Sequence, residues 1–581
     1  MNDPLPKSAE TPKRNTMNKK PELLAPAGSP EALDAALAGG ADAVYIGGTL
    51  FNARMNAKNF ERPALLQAVE KCHRSGAKLY VTLNTLVLDR QMKNALDFAA
   101  FLYGTGVDAL IVADLGLSLE IHRRLPDFPL HASTQMSGHN AEAARFLLTL
   151  GFERMVCARE LSGENIRQLV QNSPIEIEAF VHGALCVCHS GQCLFSSIVG
   201  GRSGNRGECA QPCRLPYNGK YPLSLKDNCL AGHLQELTKM GVASLKIEGR
   251  MKSADYVYAV VSTYRRLLDE NRDATGEEIG RMKEVFSRSG FTDGYFTGRI
   301  SNEMLGTRTK ENMQESEKIR LTRTALPTAR SPYELHRVLP LMEEPYRILK
   351  NPPPPKKKRS ARFYRVSSIP ENAQRELSEI YLPLDIFDGK KANGVLFPPV
   401  IPDLELPLIK EKLQKARDAG AIHALIGNIG QIALAKELGF RLHGDYRLNV
   451  TNSSAAAFYE NIFEDLILSP ELILPQVRDI GGEKSFIVYG RLPLMTLEKP
   501  LRTDFLRDRR NAVFPVLQEG KRSLVFNSLP IYMGDRMKLL KEAGIYNEHY
   551  IFSTEGPKEC ETVLNYYQKG LPTKREVRRI K

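Results

Sequence analysis

A chain of 581 residues, 42% hydrophobic and 25% charged, has enough apolar content for about two to four packed domains. No apolar run approaches the length of a membrane span, and the polar, basic first twenty residues carry no apolar signal core. With 80 Lys and Arg against 67 Asp and Glu, the net charge of +13 suits a polyanionic partner, although charge alone does not choose among RNA, DNA and a membrane surface. Residues 1–20 therefore read as a disordered basic lead-in, and the chain as one for a reducing cytoplasm.

From Glu22 short β-rich runs alternate with amphipathic helices. The runs are ELLAPA from Glu22, DAVYIG from Asp42, KLYVTLN from Lys78, DALIVAD from Asp108, PLHASTQ from Pro129, RMVCARE from Arg154, IEAFVHG from Ile177 and SLKIEG from Ser244. Between the first two, SPEALDAALAGG is a helix with a Ser29 cap and a Gly39-Gly40 stop. Eight strands, each followed by a helix or long loop, predict a (β/α)8 barrel over 21–270; a doubly wound open sheet is the alternative. In a barrel, chemistry collects where the strands end. The polar residues at those ends are Asn52, Arg54, Asn84, Asp114, His131, Gln135, Arg159, Glu160, His182, Glu248 and Arg250. Among them His131, Gln135, His182 and Glu248 are candidate catalytic groups. Arg54, Arg159 and Arg250 are candidate substrate-binding groups, because guanidinium forks grip carboxylates, and Asn84 is a further candidate at the same mouth. Each can equally be a rim salt bridge or a cap.

Six of the nine cysteines fall between Ile175 and Cys229, in the loop after the seventh run: Cys186, Cys188, Cys193, Cys209, Cys213 and Cys229. Thiolates crowded in this way suit zinc or an iron–sulfur cluster; disulfides and unliganded thiols are the other readings. Zinc knuckles favour C-x2-4-C pairs, which Cys188-x4-Cys193 and Cys209-x3-Cys213 meet loosely. The wider set Cys186, Cys193, Cys209 and Cys229 suits a cluster seated in a preformed scaffold. The intervening GGRSGNRG (Gly200–Gly207) lacks the strand–helix context of a phosphate loop and reads better as a mobile loop.

Glu178-x-Phe180-x2-Gly183-Ala184-Leu185-Cys186-x4-Gly191-x-Cys193 resembles the signature of the collagenase-like peptidase family, peptidase family U32, with Phe195 in place of its next aliphatic residue. GGRSGNRGECAQPCRLPY, SLKIEGRMKSADY and GADAVYIGG are similar to that family too, over residues 21–269. The resemblance implies an oxygen-independent hydroxylase of RNA, closest to the ribosomal RNA cytidine hydroxylase subgroup. It implies a 4Fe-4S cluster on Cys186, Cys193, Cys209 and Cys229, with Cys188 and Cys213 as spares, and prephenate as the dicarboxylate oxygen donor. A peptidase, with Cys186 and His182 as a nucleophile pair, and an accessory protein of a redox or quinone-hydroxylation pathway are the competing readings.

Residues 271–362 read as a helical and irregular connection ending in NPPPPKKKRSARFYR, an extended linker whose Lys356, Lys357, Lys358 and Arg359 are candidate RNA contacts. Beyond it, IHALIGNIGQIALAKELGFRLHGDYRLNVTN (Ile422–Asn452) echoes Val107–Asn140, with Leu442-His443 and Asn452 at an offset of 312 from Leu130-His131 and Asn140. Gly490 and Glu555-Gly556 stand at an offset of 307 from Gly183 and Glu248-Gly249. Residues 363–570 are thus expected to be a diverged, incomplete second barrel, followed by a basic tail at 571–581. That copy has Pro493 where Cys186 would fall, so it can hold no cluster; pairing with the first barrel and binding the partner are its expected duties.

Overall fold

Leu24, Tyr45, Tyr80 and Ile111 form one apolar cluster, while their neighbours Leu23, Val44, Leu79 and Leu110 belong to a second, larger one. This period-two division is that of strands with a packed interior and a helix-covered outside. The structure, a computed structural model, describes residues 20–285, 289–307, 321–323, 337, 346, 348 and 358–580. The lead-in at 1–19 and the linker residues Lys356 and Lys357 lie outside the described residues.

Strands β1 (Glu22–Pro26), β2 (Ala43–Gly47), β3 (Lys78–Leu83) and β4 (Ala109–Val112) pair in chain order. They are continued by β5 (Leu130–Ala132), β6 (Phe152–Val156) and β7 (Glu176–Gly183), all parallel. A short β8 (Asp227–Cys229) runs antiparallel to the end of β7, setting Cys229 opposite His182. Strand β9 (Ser244–Ile247) is parallel to both β7 and β1 and closes a ring of eight. The fold is the barrel and not the open sheet. β10 (Phe291–Thr292) adds to β8 from outside. Helix α1 (Pro30–Ala38) starts as expected, Ala32 N donating to Ser29 Oγ at 3.3 Å. Helices α2 (Leu115–Arg124) and α3 (Ala141–Thr149) follow β4 and β5.

The second half repeats this plan. β11 (Arg359–Phe363), β12 (Glu379–Pro383), β13 (Gly394–Leu396), β14 (His423–Ile426) and β15 (Arg441–Gly444) are parallel neighbours. β16 (Lys484–Gly490) is followed by an antiparallel sheet of β17 (Pro493–Leu497), β18 (Phe505–Arg507), β19 (Val513–Glu519) and β20 (Arg522–Phe526). β21 (Ile531–Tyr532) lies antiparallel on β16 as β8 does on β7. β22 (Ile545–Phe552) joins β16 to β11. Between β15 and β16 the sixth strand is reduced to Leu466 and Ile467, whose parallel bridges reach Gly444 and Ser485. The copy is incomplete there, as expected, because two bridging residues take the place of a strand.

The expected linker ends early. Arg359 opens β11, ahead of the expected Phe363, and its guanidinium meets Glu548 at 3.1 Å with only 14% of the side chain exposed. Lys358 accepts Glu548 N through its carbonyl. Both residues stand where a barrel strand begins, the end remote from strand C-termini, so Arg359 serves a structural ion pair instead of a nucleic-acid surface.

Candidate active site

The loop after β7 folds back over the mouth of the first barrel. Cys186, Cys188, Cys193, Cys209 and Cys213 line one cavity of about 150 Å3, together with Arg54, Asn84, Gln135, Arg159, Glu248 and Arg250. Cys186 and Cys209 are exposed and mark its open side. Gly191 has φ +77°, and a Cβ there would lie 2.0 Å from Gln135 O, so the signature glycine lets the loop press against β5's end. The Gly200–Gly207 segment is folded, not a mobile loop. It follows helix α4 (Phe195–Gly200) and forms a turn whose Ser203 and Asn205 side chains donate to Glu471 at 2.8 and 3.0 Å.

The surroundings raise three of these thiols. Burial pushes Cys213 up to about 12 and raises Cys209; for Cys193 the hydrogen bond with Cys188 comes first, then burial. Among the described residues no three cysteines have sulfurs within 4.8 Å of one another. A tetrahedral zinc with ~2.3 Å bonds would need them about 3.8 Å apart. As placed, the thiols do not meet that spacing.

Three of the sequence candidates fall elsewhere. Cys229 is buried behind β7, its sulfur 4.0 Å from Tyr264 Oη, and Cys213 stands in the cavity that Cys229 was expected to line. His182 points to the same outer side, against Tyr264 and Phe291, and burial pushes it down to about 3. His131 packs edge-on against Tyr80 beneath the cavity, and burial likewise lowers it well below the imidazole range. Neither histidine reaches the cavity as an acid or base.

The charged wall is shared by four groups. Glu248 lies 3.3 Å from Arg54 and 3.4 Å from Arg159. Burial works to raise its carboxyl, but the guanidiniums of Arg54, Arg159 and Arg250 outweigh it and lower the value, so Glu248 is an ionised partner and not a proton donor. Arg159 also stacks over Phe180 at 4.0 Å. Arg250 donates to Thr82 Oγ1 and Asn52 Oδ1 at 3.1 Å each and to Asn59. A Cβ at Gly47 would lie 2.0 Å from an Arg250 nitrogen, the physical reason GADAVYIGG closes β2 on glycine. Asn84 accepts Ala53 N at 2.9 Å and so anchors the Arg54 loop.

One feature of the site has no local sequence signal. His189 Nδ1 lies 2.7 Å from Glu160 Oε1, and His139 Nε2 lies 2.9 Å from the same oxygen. The other nitrogen of His189 is 3.3 Å from Glu498 of the second half, which also receives Arg522 Nε at 2.7 Å. Burial opposes charge on His189, but the Glu160 carboxylate and its hydrogen bond, with that of Glu498, raise it overall. The second half touches the cysteine loop directly as well. His189 N donates to Thr496 O and Leu194 N to Leu494 O, both at 2.9 Å, so β17 carries the loop as a neighbouring strand, and Met495 completes the cavity wall.

The profile of peptidase family U32 matches residues 28–305. A 23S rRNA 5-hydroxycytidine synthase of Escherichia coli is 44% identical over 280 residues, 46% of this chain and 42% of that protein. The tRNA hydroxylation protein P1 of Bacillus subtilis is 40% identical over 274 residues, 44% of this chain and 65% of its own length. A collagenase of Porphyromonas gingivalis is 35% identical over 316 residues, 48% of this chain and 75% of its own. The chain thus spans 42% and 65% of the first two relatives. No helix among the described residues is long and apolar enough to cross a membrane. With the signature cysteines on the barrel mouth and the match running through the whole first barrel, the chain belongs to peptidase family U32.

Proposed function

We propose that this protein is an iron–sulfur-dependent, oxygen-independent hydroxylase of a nucleobase in RNA, ribosomal RNA first, acting in the cytoplasm with prephenate as oxygen donor. The observation that carries the reading is that thiols and guanidiniums share one cavity at the barrel mouth. Three cations, Arg54, Arg159 and Arg250, face one carboxylate, Glu248, leaving an excess of two positive charges (3 − 1), which matches a dicarboxylate. Lys246 adds nothing to that excess, because Glu178 neutralises it at 2.7 Å. Cys186, Cys193 and Cys209 would hold a 4Fe-4S cluster; the fourth thiolate comes from Cys213, which lines the cavity, or from Cys229, which the family motif indicates. Such a cluster, when bound, supplies electron transfer. Arg54 and Arg159 would grip carboxylates and Glu248 would hold both forks in place. The names of the rRNA and tRNA relatives support RNA as the substrate.

The peptidase reading meets a geometric obstacle. Among the described residues His189 is the histidine that lines the cavity, and both its nitrogens face carboxylates, leaving none to activate a thiol. The test is mass spectrometry of ribosomal and transfer RNA from a deletion strain, complemented with the wild type or with Cys186→Ala. One base should lose 16 Da (about; one oxygen atom) and regain it only with the wild type. Unaltered RNA would sink the hydroxylase reading and leave the accessory role; gelatin cleavage by metal-free protein would restore the peptidase.

A further inference from the structure

The cysteine loop and the antiparallel sheet of the second half occupy the same place in their two barrels, after the seventh strand, and they meet at Asn218. Asn218 N donates to Arg507 O at 2.9 Å, Arg507 N donates back to Asn218 Oδ1 at 2.8 Å, and Asn218 Nδ2 reaches Phe505 O at 3.1 Å. The outer edge of β18 is therefore clamped to the segment that begins at Cys213, a residue that lines the cavity. A ring contact supports the clamp, Phe514 of β19 lying 6.3 Å from Tyr217.

From this clamp the β18–β19 hairpin projects an unusual charge pattern. Arg502, Arg507, Arg509 and Arg510 are all exposed, and none makes an ion pair with a described residue. Elsewhere on this chain exposed arginines such as Arg281 and Arg441 are matched by glutamates at 2.5 and 2.6 Å. The acidic residue inside the turn, Asp508, is turned inward, its Oδ1 accepting Arg510 N at 2.8 Å and Ala512 N at 2.9 Å. Asn511 has φ +62°, so the turn is a set shape that presents Arg509 and Arg510 outward. Phe505 is 39% exposed in the same hairpin, and Tyr221, near the other arm of the clamp, is 44% exposed. Unpaired guanidiniums around exposed rings are the chemistry that binds a single nucleic-acid strand, phosphates to the cations and bases on the rings.

We infer that the β18–β19 hairpin is the docking surface for single-stranded RNA, holding a strand by its phosphates so that one base can enter the cysteine cavity. The assignment rests on the RNA reading given above and moves the RNA contact from the β11 entrance to the mouth side. It also gives the thiol-free half a part in substrate binding: its hairpin supplies the cations that the first barrel's mouth uses internally.

The test compares full-length wild type with Arg502→Ser/Arg507→Ser/Arg509→Ser/Arg510→Ser and with Phe505→Ala. Binding of a fluorescent unstructured RNA oligonucleotide is measured by anisotropy across salt concentrations. The quadruple variant should bind at least about tenfold more weakly, with a log–log salt slope flatter by up to about 3, and keep the wild-type visible spectrum and melting temperature. Phe505→Ala should weaken binding about tenfold with the slope unchanged. Wild-type affinity and slope in the quadruple variant would overturn the docking surface while leaving the RNA reading intact. Wild type that binds no RNA removes both. Polyglutamate binding as tightly as RNA, with no effect of Phe505→Ala, would mark the hairpin as a site for acidic protein and overturn the RNA assignment.

Discussion

Asn140 and Asn452 stand 312 positions apart and do the same thing in opposite directions. Asn140 Oδ1 caps helix α3 by accepting Ala143 N at 2.9 Å, while its Nδ2 crosses to Ile401 O at 2.8 Å and Gly430 O at 3.3 Å in the second half. Asn452 Oδ1 caps helix α5 (Ser453–Glu460) through Ala455 N at 3.0 Å, and its Nδ2 crosses to Val87 O and Asp114 Oδ1 in the first half, both at 2.9 Å. The two barrels are joined by a pseudo-two-fold contact in which each copy gives a capped helix start to the other. The glycines that receive them are paired too: a Cβ at Gly116 would lie 1.9 Å from Asn452 Oδ1, and one at Gly430 would lie 2.2 Å from Asn140 Oδ1.

That contact predicts matched stability losses. Asn140→Ala and Asn452→Ala should each destabilise by about 2–4 kcal/mol, a lost cap plus buried partners left unpaired. Gly116→Ala and Gly430→Ala should each cost about 1–3 kcal/mol by overpacking. Chemical denaturation measures all four. An asparagine variant within 0.5 kcal/mol (about; the scatter of neutral surface changes) of wild type would mean that the halves are held elsewhere.

The cysteines predict a pattern of loss. Anaerobically prepared protein should absorb broadly near 400 nm (roughly; thiolate-to-iron charge transfer) and lose that absorption with Cys186→Ala, Cys193→Ala or Cys209→Ala. The pair Cys213→Ala and Cys229→Ala decides the fourth ligand: one should bleach the protein and the other should not. Cys72, Cys157 and Cys560 are buried away from the cavity and should be dispensable. Stoichiometric zinc without iron would defeat the cluster.

What the sequence made legible was the periodic part. Eight apolar runs with strand length and helix spacers predict the first barrel, and the place of the cysteine loop after the seventh puts its thiols at the mouth. The echoes at Leu442-His443 and Gly490 likewise locate β15 and β16 of the second barrel. β8 was not legible, because Asp227–Cys229 is three residues with no alternation; its pairing with β7 is what turns Cys229 away from the cavity. The β17–β20 sheet was hidden because it stands where the two copies cease to echo. His139, Glu160, His189 and Glu498 meet only through tertiary packing, so no local spacing could announce them. At Arg359 the run of positive charge masks the start of the strand RSARF.

The Glu248 fork predicts opposite effects from its two sides. Glu248→Gln takes away the carboxylate that competes for Arg54 and Arg159, so a dicarboxylate such as prephenate should bind more tightly while hydroxylation falls. Arg159→Ala removes a charge-assisted contact and should weaken the same binding about tenfold or more. Calorimetry with the purified protein reads both. Equal affinities in wild type and both variants would place the dicarboxylate outside this cavity.

His189 predicts a pH dependence. Its carboxylate neighbours make it easier to protonate in the fold than in the unfolded chain, whose imidazole value is 6.5. Its stabilising effect is therefore complete below about pH 6.5 and is lost as pH rises through the higher folded value. Glu498→Gln takes away one of its two carboxylates and should start that loss at lower pH. Denaturation midpoints across pH 6–9 (roughly; spanning the raised value) measure the shift, and coincident wild-type and variant profiles would remove His189 as the cause.

The contact between β17 and the cysteine loop predicts that the thiol-free half is needed to keep iron. Pairing with the first barrel does not exhaust its duties, since Thr496 and Leu494 hold the loop's backbone and Met495 walls the cavity. Phe514 is the side chain that presses this sheet onto the loop, its ring 4.9 Å from Phe195 and almost wholly buried. Phe514→Ala in the full chain should cost about 3–5 kcal/mol and leave the loop free to open. Iron should then be lost to a chelator at least about tenfold faster, although no cysteine has changed. Met495→Ala, which opens the wall without loosening the sheet, should keep the melting temperature nearer wild type and show an intermediate rate. A second half that only braces the first would give Phe514→Ala a lower melting temperature with unchanged iron release at temperatures well below unfolding.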